Sequence, residues 1–428
     1  MIVDGSRVSM PSTATRATAV LALTAALAGC GKSANSSSLA HAGNAPGQSS
    51  LASDGCAATV IDTLGEITTR VYTQGVSSER TAAARALIAA SIPLRSAVEA
   101  GDARAARAAA QALLATGHMT NLELKLGGHV LADVGGRHAL APLSGTLTGA
   151  GATPIGSYVA SVWADEGFLA EARGIAEGNV ALRVDGHSIA GSFALPAGQL
   201  SNEGSLIERH IGYRYTSFPA TVFPTGQPLR VYLLRSLAST TALCGRTQQD
   251  TLVNTLGRVA QNIYDGERAG RARAEVRRVQ RDPALLRAVA ARDPVAATQA
   301  IDALLNQHIV RLRVSTEGRL LADVGGPYVL APLSAPLRLG GRTIGTLVLS
   351  IQDDEGYRRL ARRLAGLDVL MYMGSSLVKN DLGPNPGTVP SSGAYHYDGR
   401  SFVVYTIHAQ AFPSGPLKIN VLIPIPYS

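Results

Sequence analysis

Few residues in this chain sit at spacings that do chemistry. Asp353-Asp354-Glu355 places three carboxylates in a row, which suits a metal ion or the N-terminus of a helix, where negative charge meets the helix dipole. Copy-equivalent positions keep only Asp165 and Glu166, which favours the helix reading. Ser161 and Ser350 recur at matching places. Neither lies in a Gly-x-Ser-x-Gly elbow, and a strand serine bonding nearby backbone is the simpler role. The nine histidines are scattered, with no His-Glu-x-x-His pair. Gly149-Ala150-Gly151 begins like a dinucleotide loop, but Pro154 occupies the last glycine position. Gly31-Lys32-Ser33 ends like a phosphate loop, but its first glycine would fall on Ala26. The reading is therefore a protein without catalytic residues, metal or cofactor.

The cysteines say more. Ala17 to Ala28 is a 12-residue run, apolar or small apart from two threonines, preceded by Arg7 and Arg16. It is too short for a bilayer-spanning helix, which needs about 20 residues, and reads as the core of a secretory signal. Leu27-Ala28-Gly29-Cys30 follows and resembles the lipobox of bacterial lipoprotein precursors. That resemblance implies cleavage before Cys30 and a diacylglycerol on its thiol, hence a membrane anchor on the extracytoplasmic face. Asp4 is unusual in such a leader, and Met10 is an alternative start. Cys56 and Cys244 are then the only cysteines left. In an oxidising compartment they are expected to pair.

The elements that must position any site come from a duplication. Residues 128–147 and 318–337 share thirteen of twenty positions at an offset of 190. Asp62-Thr63-Leu64-Gly65 with Tyr72 answers Asn254-Thr255-Leu256-Gly257 with Tyr264, and Phe223-Pro224-Thr225-Gly226 answers Phe412-Pro413-Ser414-Gly415. A period near 190 residues means two domain copies rather than a solenoid. The organisation reads as a signal over 1–30, a flexible tether over 31–55, a first domain over 56–245 and a second over 246–428. The Ser, Ala, Gly and Asn of the tether cannot bury enough surface to order themselves. Such a coil holds its ends roughly 25–30 Å apart.

Each copy opens with a helical region. In copy two it spans about 251–281 and breaks at Asp282-Pro283, because a residue before proline disfavours helix. Helices led by Pro283 and Pro294 follow, and Pro93 marks the matching break within 57–116 of copy one. Strands are expected at 310–314, 319–324, 328–333, 343–351, 369–373, 402–408 and 417–423, with a short helix over 357–364. The net charge of +8 is carried by arginines spread along alanine-rich helices. The densest run, Arg268 to Arg281, has no interleaved aromatics, so no nucleic-acid partner is expected.

This order of long helix, Pro-led helix pair, Gly-Arg-Leu-Leu-Ala-Asp strand, Pro-Leu strand, Gly-Arg-Thr-Ile-Gly strand and Asp-Asp-Glu-Gly-Tyr helix resembles the Cache domains, extracellular PAS-like sensor modules of bacterial receptors. The resemblance covers both copies. It implies an α+β fold of two tandem PAS-like domains, each a long N-terminal helix plus a central antiparallel sheet, with a small-molecule pocket between sheet and covering loops. It also puts the two ends of a copy at one pole, which lets Cys56 approach Cys244. The Tyr, Arg-x-Trp and Asp set of amino-acid-binding Cache domains has no counterpart; Trp163 is the only tryptophan. The last expected strand lies close to Ser428, so signalling is expected through a separate membrane receptor or kinase. Strand alternation puts Val348, Ser350 and Gln352 on one face, with Val159, Ser161 and Trp163 their partners. The expected ligand residues are Tyr328, Ser350, Gln352, Asp353, Tyr372 and Tyr405 in copy two, and His138, Ser161, Trp163 and Asp165 in copy one. The resulting functional reading is a membrane-anchored, small-molecule-binding sensory lipoprotein. The alternative is an envelope interaction lipoprotein that binds no ligand.

Overall fold

The computed structural model describes residues 48–425 except 137, 199, 306 and 307, without the side chains of 48–54 and 150. Cys30, the signal and residues 31–47 of the tether lie outside the described residues. Copy one begins with α1 (Gln48–Thr73), α2 (Glu79–Ala90), α3 (Ile92–Glu99) and α4 (Ala103–Leu114). β1 (Asn121–Leu126), β2 (His129–Gly135), β3 (Ala139–Leu140), β4 (Leu143–Thr148), β5 (Pro154–Ser161) and β6 (Trp163–Ala164) follow. After α5 (Asp165–Ala176) come β7 (Asn179–Val184), β8 (His187–Gly191), β9 (Glu203–Glu208), β10 (Ile211–Thr221), β11 (Pro228–Ser236) and the short α6 (Leu237–Thr241).

Copy two repeats the order. Its helices are α7 (Gln248–Gly266), α8 (Gly270–Gln280), α9 (Pro283–Ala291) and α10 (Pro294–Leu304). Its strands are β12 (Arg311–Thr316), β13 (Arg319–Gly325), β14 (Val329–Leu330), β15 (Leu333–Leu339), β16 (Arg342–Ser350) and β17 (Gln352–Asp353). Then come α11 (Asp354–Ala365), β18 (Asp368–Met373), β19 (Ser376–Asn380), β20 (Ser392–Tyr397), β21 (Arg400–Ala411) and β22 (Gly415–Pro424).

The expected mixture of helices and antiparallel sheets is what the chain adopts; each copy has two main sheets, and in copy one β3 and β6 pair as a separate two-stranded sheet. The first sheets are ordered β2-β1-β5-β4 and β13-β12-β16-β15. The second are β8-β7-β11-β10-β9 in copy one, and β17-β14-β21-β22-β18-β19 with β20 on β21 in copy two. Three helices cover one face of each first sheet. In copy two, Leu285, Val289 and Ile301 meet Leu312, Val314, Leu347 and Leu349 in one core. Asp282 and Asp293 cap these helices by accepting from Leu285 N (2.7 Å) and Ala296 N (3.0 Å), ahead of the two prolines. The prolines lose nothing there, since their missing N–H groups have no intrahelical partner.

The second sheets of both copies and the helices α1, α5, α7 and α11 share a single core. Val60, Ile61 and Leu64 of α1 pack with Val259, Ala260 and Ile263 of α7, with Phe168 and Tyr357 buried beside them. The two copies thus have no separate cores at this level.

Three details differ from expectation. The helix expected over 251–281 is broken between Gly266 and Gly270, two residues of low helix propensity bracketing the gap. α1 extends back to Gln48, because a packed helix propagates into Ser- and Ala-containing flanks at low cost. The strand expected at 328–333 is two strands in different sheets. Ala331, like Ala141, sits at positive φ (+56° and +54°) and turns the chain from one sheet to the other.

Candidate functional site

The most repeated stretch of the sequence is this crossover between sheets. Leu330-Ala331-Pro332 carries the chain from β14 into β15, and Ile351 carries it from β16 into β17. Ser350 fastens the two passages together. Its buried hydroxyl donates to Leu330 O and accepts from Gln352 N (3.2 Å). Ser161 does the same in copy one, with Leu140 O and Trp163 N (3.0 Å). Both hydroxyls spend their proton on backbone and are fully buried, which keeps a ligand from reaching them. These two residues, expected among the ligand contacts, are instead architectural, because the crossover leaves carbonyls that no ladder partner reaches.

Their neighbours differ. Asp353 caps α11, accepting from Gly356 N (2.7 Å), and Asp165 accepts from Glu166 N (2.8 Å) in the first turn of α5. Glu355 is taken by Arg358 and Lys379, and these partners hold its carboxyl down to about 2. Two of the three carboxylates, Asp353 and Glu355, are therefore used for capping and ion pairing. Among the described residues no group of three His, Cys, Asp or Glu side chains is placed to hold a metal ion. Gln352 and Trp163 each keep one buried N–H donor, Nε2 and Nε1, without a hydrogen-bond partner. Trp163 lies under the Arg80 guanidinium, 5.6 Å from its ring centre, and edge-on to Phe168.

The remaining expected contacts do not converge. Tyr328 and His138 are exposed at the start of their crossover strands. Tyr372 and Tyr405 lie on opposite faces of one sheet. The register pairs Tyr372 with Lys418 and Tyr405 with Val421, three residues apart on β22, so alternation sends the two rings to opposite sides. Tyr372 packs with Leu370 and Phe402, with the Lys418 ammonium 4.3 Å from its ring centre. Tyr405 packs instead on α7, where a side chain on Gly257 would strike its ring.

A polar cluster that the sequence reading passed over occupies the helix-free face of the copy-two first sheet. Asp323 accepts two hydrogen bonds from Arg311, through Nε and Nη2 (both 2.9 Å). Its Oδ2 also accepts from Arg313 Nε (2.9 Å) and Nη2 (2.6 Å). Both guanidiniums stand over the Phe412 ring, 4.9 and 5.7 Å from its centre. Burial would raise the Asp323 carboxyl, but hydrogen bonds from the two arginines outweigh it and hold it below the usual range. Two cations share one anion, so the cluster carries one excess positive charge. Arg311 Nη1 also donates to Gly326 O (3.1 Å), which leads to Tyr328. The signal was the alternation Arg311-Leu312-Arg313-Val314: leucine and valine face the helices, so both arginines share the other face. Distance in sequence hid Phe412.

Copy one has lost this arrangement. Asn121 and Glu123 replace the arginines and Asp133 remains. Glu123 lies 2.8 Å from Lys125 Nζ, and Asn121 Nδ2 donates to Gly136 O (2.7 Å). One carboxylate meets one ammonium there, without the excess positive charge of copy two. Elsewhere the structure joins Cys56 and Cys244 in a disulfide, with Cα atoms 5.8 Å apart. Among the described residues no helix is long and apolar enough to cross a membrane.

No family model matches the chain, and no curated protein matches it. Among solved structures, the chain is similar to the periplasmic domain of Vibrio cholerae LuxQ, at 11% identity and a TM-score of 0.22, covering 44% of this chain and 100% of that one. It is also similar to the ligand-binding domain of the Pseudomonas fluorescens chemoreceptor CtaA in complex with L-alanine, at 11% identity, a TM-score of 0.27, and coverage of 42% and 98%. The ligand-binding domain of the Pseudomonas aeruginosa amino acid chemoreceptor PctB in complex with L-Arg gives 10%, 0.23, and coverage of 40% and 95%. At such identities and scores, residue roles rest on the geometry of this chain alone.

Proposed function

We propose that this protein is an extracytoplasmic, lipid-anchored sensory lipoprotein whose second copy binds a small polar molecule and signals through a separate membrane partner. The observation that supports ligand binding most directly is the Arg311, Arg313 and Asp323 cluster over Phe412. It offers charge-assisted donors and an aromatic surface beside a crossover that keeps a buried Gln352 donor without a partner. The excess positive charge favours a ligand with an acidic group.

A thermal-shift screen of the whole chain against organic acids, amino acids, amines and purines tests this, since specific binding raises the melting temperature by mass action. Arg313→Ala should abolish the shift given by the best acidic hit. Its Asp323 pair is duplicated by Arg311, so the fold is expected to survive. An undiminished shift in that variant refutes the site.

The anchor rests on the Leu27-Ala28-Gly29-Cys30 run. Cys30→Ala should release the protein from membranes or leave it unprocessed. A variant that matures and fractionates like the parent removes that part of the reading.

The second reading, an envelope interaction lipoprotein that binds no ligand, draws support from copy one. There the equivalent face is closed by its own Glu123–Lys125 pair. A screen without any specific hit, on protein shown to be folded, favours it.

A further inference from the structure

The contact between the copies repeats itself with roles exchanged. Asn262 on α7 donates through Nδ2 to Ile175 O (3.0 Å), near the end of α5. Arg70, its counterpart 192 residues earlier on α1, donates through Nη1 to Leu364 O (3.3 Å), near the end of α11. Within each copy, Tyr72 and Tyr264 likewise occupy equivalent places, accepting from Thr221 N and Gln410 N (both 2.9 Å).

At one place the correspondence is broken. α11 ends on Gly366 in the left-handed region (φ +69°), the usual residue for that conformation. α5 ends on Glu177 at φ +48°, where a side chain with a Cβ is disfavoured. What the position gains is a carboxylate. Its Oε1 accepts from Arg258 Nε (3.0 Å) and its Oε2 from Arg235 Nη2 (3.4 Å). The residues matching Glu177, Arg235, Arg258 and Tyr405 across the duplication are Gly366, Pro424, Glu66 and Thr216. The cluster is therefore not a by-product of the repeat.

Around it lies a cleft of about 530 Å³ whose walls include Arg235, Leu243, Arg258 and Tyr405. A second cleft of about 470 Å³ shares Glu177 and Arg235. These volumes are those of small-molecule sites. Two guanidiniums again meet one carboxylate. Arg235 is only 6% exposed and its Nε has no partner. Arg258 spends Nε and Nη2 on Glu177 and leaves Nη1 for an occupant. Asp265, further along α7, is held by Gln261 Nε2 (3.0 Å). Burial disfavours the Arg235 charge, and both arginines hold the Glu177 carboxyl down.

We propose that this cleft between the copies binds a small organic anion, its acidic group on Arg258 beside the Arg235–Glu177 pair and its apolar body against Tyr405 and Leu243. An occupant there touches β11 and the end of α6 in copy one and α7 and β21 in copy two, so it ties the copies together. β21 runs from Tyr405 in this cleft towards Phe412 under the arginine face, which gives the two sites a common strand.

The test uses the whole chain with benzoate as probe and benzamide as its uncharged counterpart, read by thermal shift and calorimetric titration. Benzoate should raise the melting temperature and benzamide should not. Arg258→Gln should weaken benzoate at least tenfold while an acidic ligand whose shift Arg313→Ala abolishes keeps its affinity in Arg258→Gln, which separates this cleft from the sheet-face site. Ser239→Asp, on the exposed wall, adds a carboxylate that cancels the excess charge and should weaken benzoate similarly, a second variant should Arg258→Gln fold poorly. Benzoate binding that persists in both cleft variants, is lost only in Arg313→Ala, is matched by benzamide or is absent overturns the proposal.

Discussion

At the scale of single residues, the duplicated serines show how one hydroxyl joins two sheets. Ser350 Oγ meets one carbonyl and one N–H on different passages of the chain, and the site is 1% exposed. Ser350→Ala leaves these backbone groups buried without their partner, which costs about 1–3 kcal/mol. Urea unfolding should show that loss, with affinity for a sheet-face ligand unchanged in the folded variant. A variant as stable as the parent would mean that water replaces the hydroxyl. The serines were visible in the sequence as a repeated pair. Their partners were not, because Leu330 and Gln352 are reached only once the sheet switch at Ala331 is known.

At the scale of elements, the break between α7 and α8 buries Glu267, which is 8% exposed. Burial, reinforced by Glu171 on α5, outweighs Arg271 at 3.9 Å and pushes its carboxyl up to about 7. Between about pH 4.5 and 7 the native state keeps a proton that an unfolded glutamate has released. Stability contributed by this group is thus full below pH 4.5, falls as pH rises through the window and is lost above 7. A shift of this size corresponds to about 3 kcal/mol at most. Glu267→Gln should therefore be more stable than the parent at pH 8 and converge with it near pH 4. Equal differences at both pH values, measured by urea unfolding, would show that Glu267 is ionised throughout. This group was not legible from local pattern, since one uninterrupted helix is expected there. The break that buries it depends on how α7 packs on the neighbouring copy and α8 on the first sheet of its own copy.

At the scale of the whole molecule, the disulfide closes copy one where copy two begins. Cys56 lies in α1 and Cys244 between α6 and α7, 188 residues apart. Closing so long a loop stabilises by roughly 4–5 kcal/mol in the chain-entropy model. Thiol alkylation of the unreduced, unfolded protein should leave Cys56 and Cys244 unmodified, and reduction should lower the denaturation midpoint. Uptake of two equivalents of reagent at these positions without reductant would show separate thiols. The expectation came from counting cysteines and from the compartment, both written in the sequence. That the bond also lies beside the shared core, with Thr251 Oγ1 3.6 Å from Cys56 Sγ, came from tertiary structure.

Features that depend on local pattern are written in the amino-acid order. Helices start behind Asp282 and Asp293 because caps and prolines act within one turn. The alternation in β12 and β16 sets which side chains face the helices, because a strand's period is two residues. The duplication fixed the order of elements twice. Which distant residues share a place follows from how the elements dock. That docking moved Tyr372 and Tyr405 to opposite faces, brought Phe412 under Arg311 and Arg313, and set Glu177 between Arg235 and Arg258. The physical reason is that charge pairing and aromatic stacking act over a few ångströms in space. Which residues come that close is set by how sheets and copies dock, and no local periodicity encodes it.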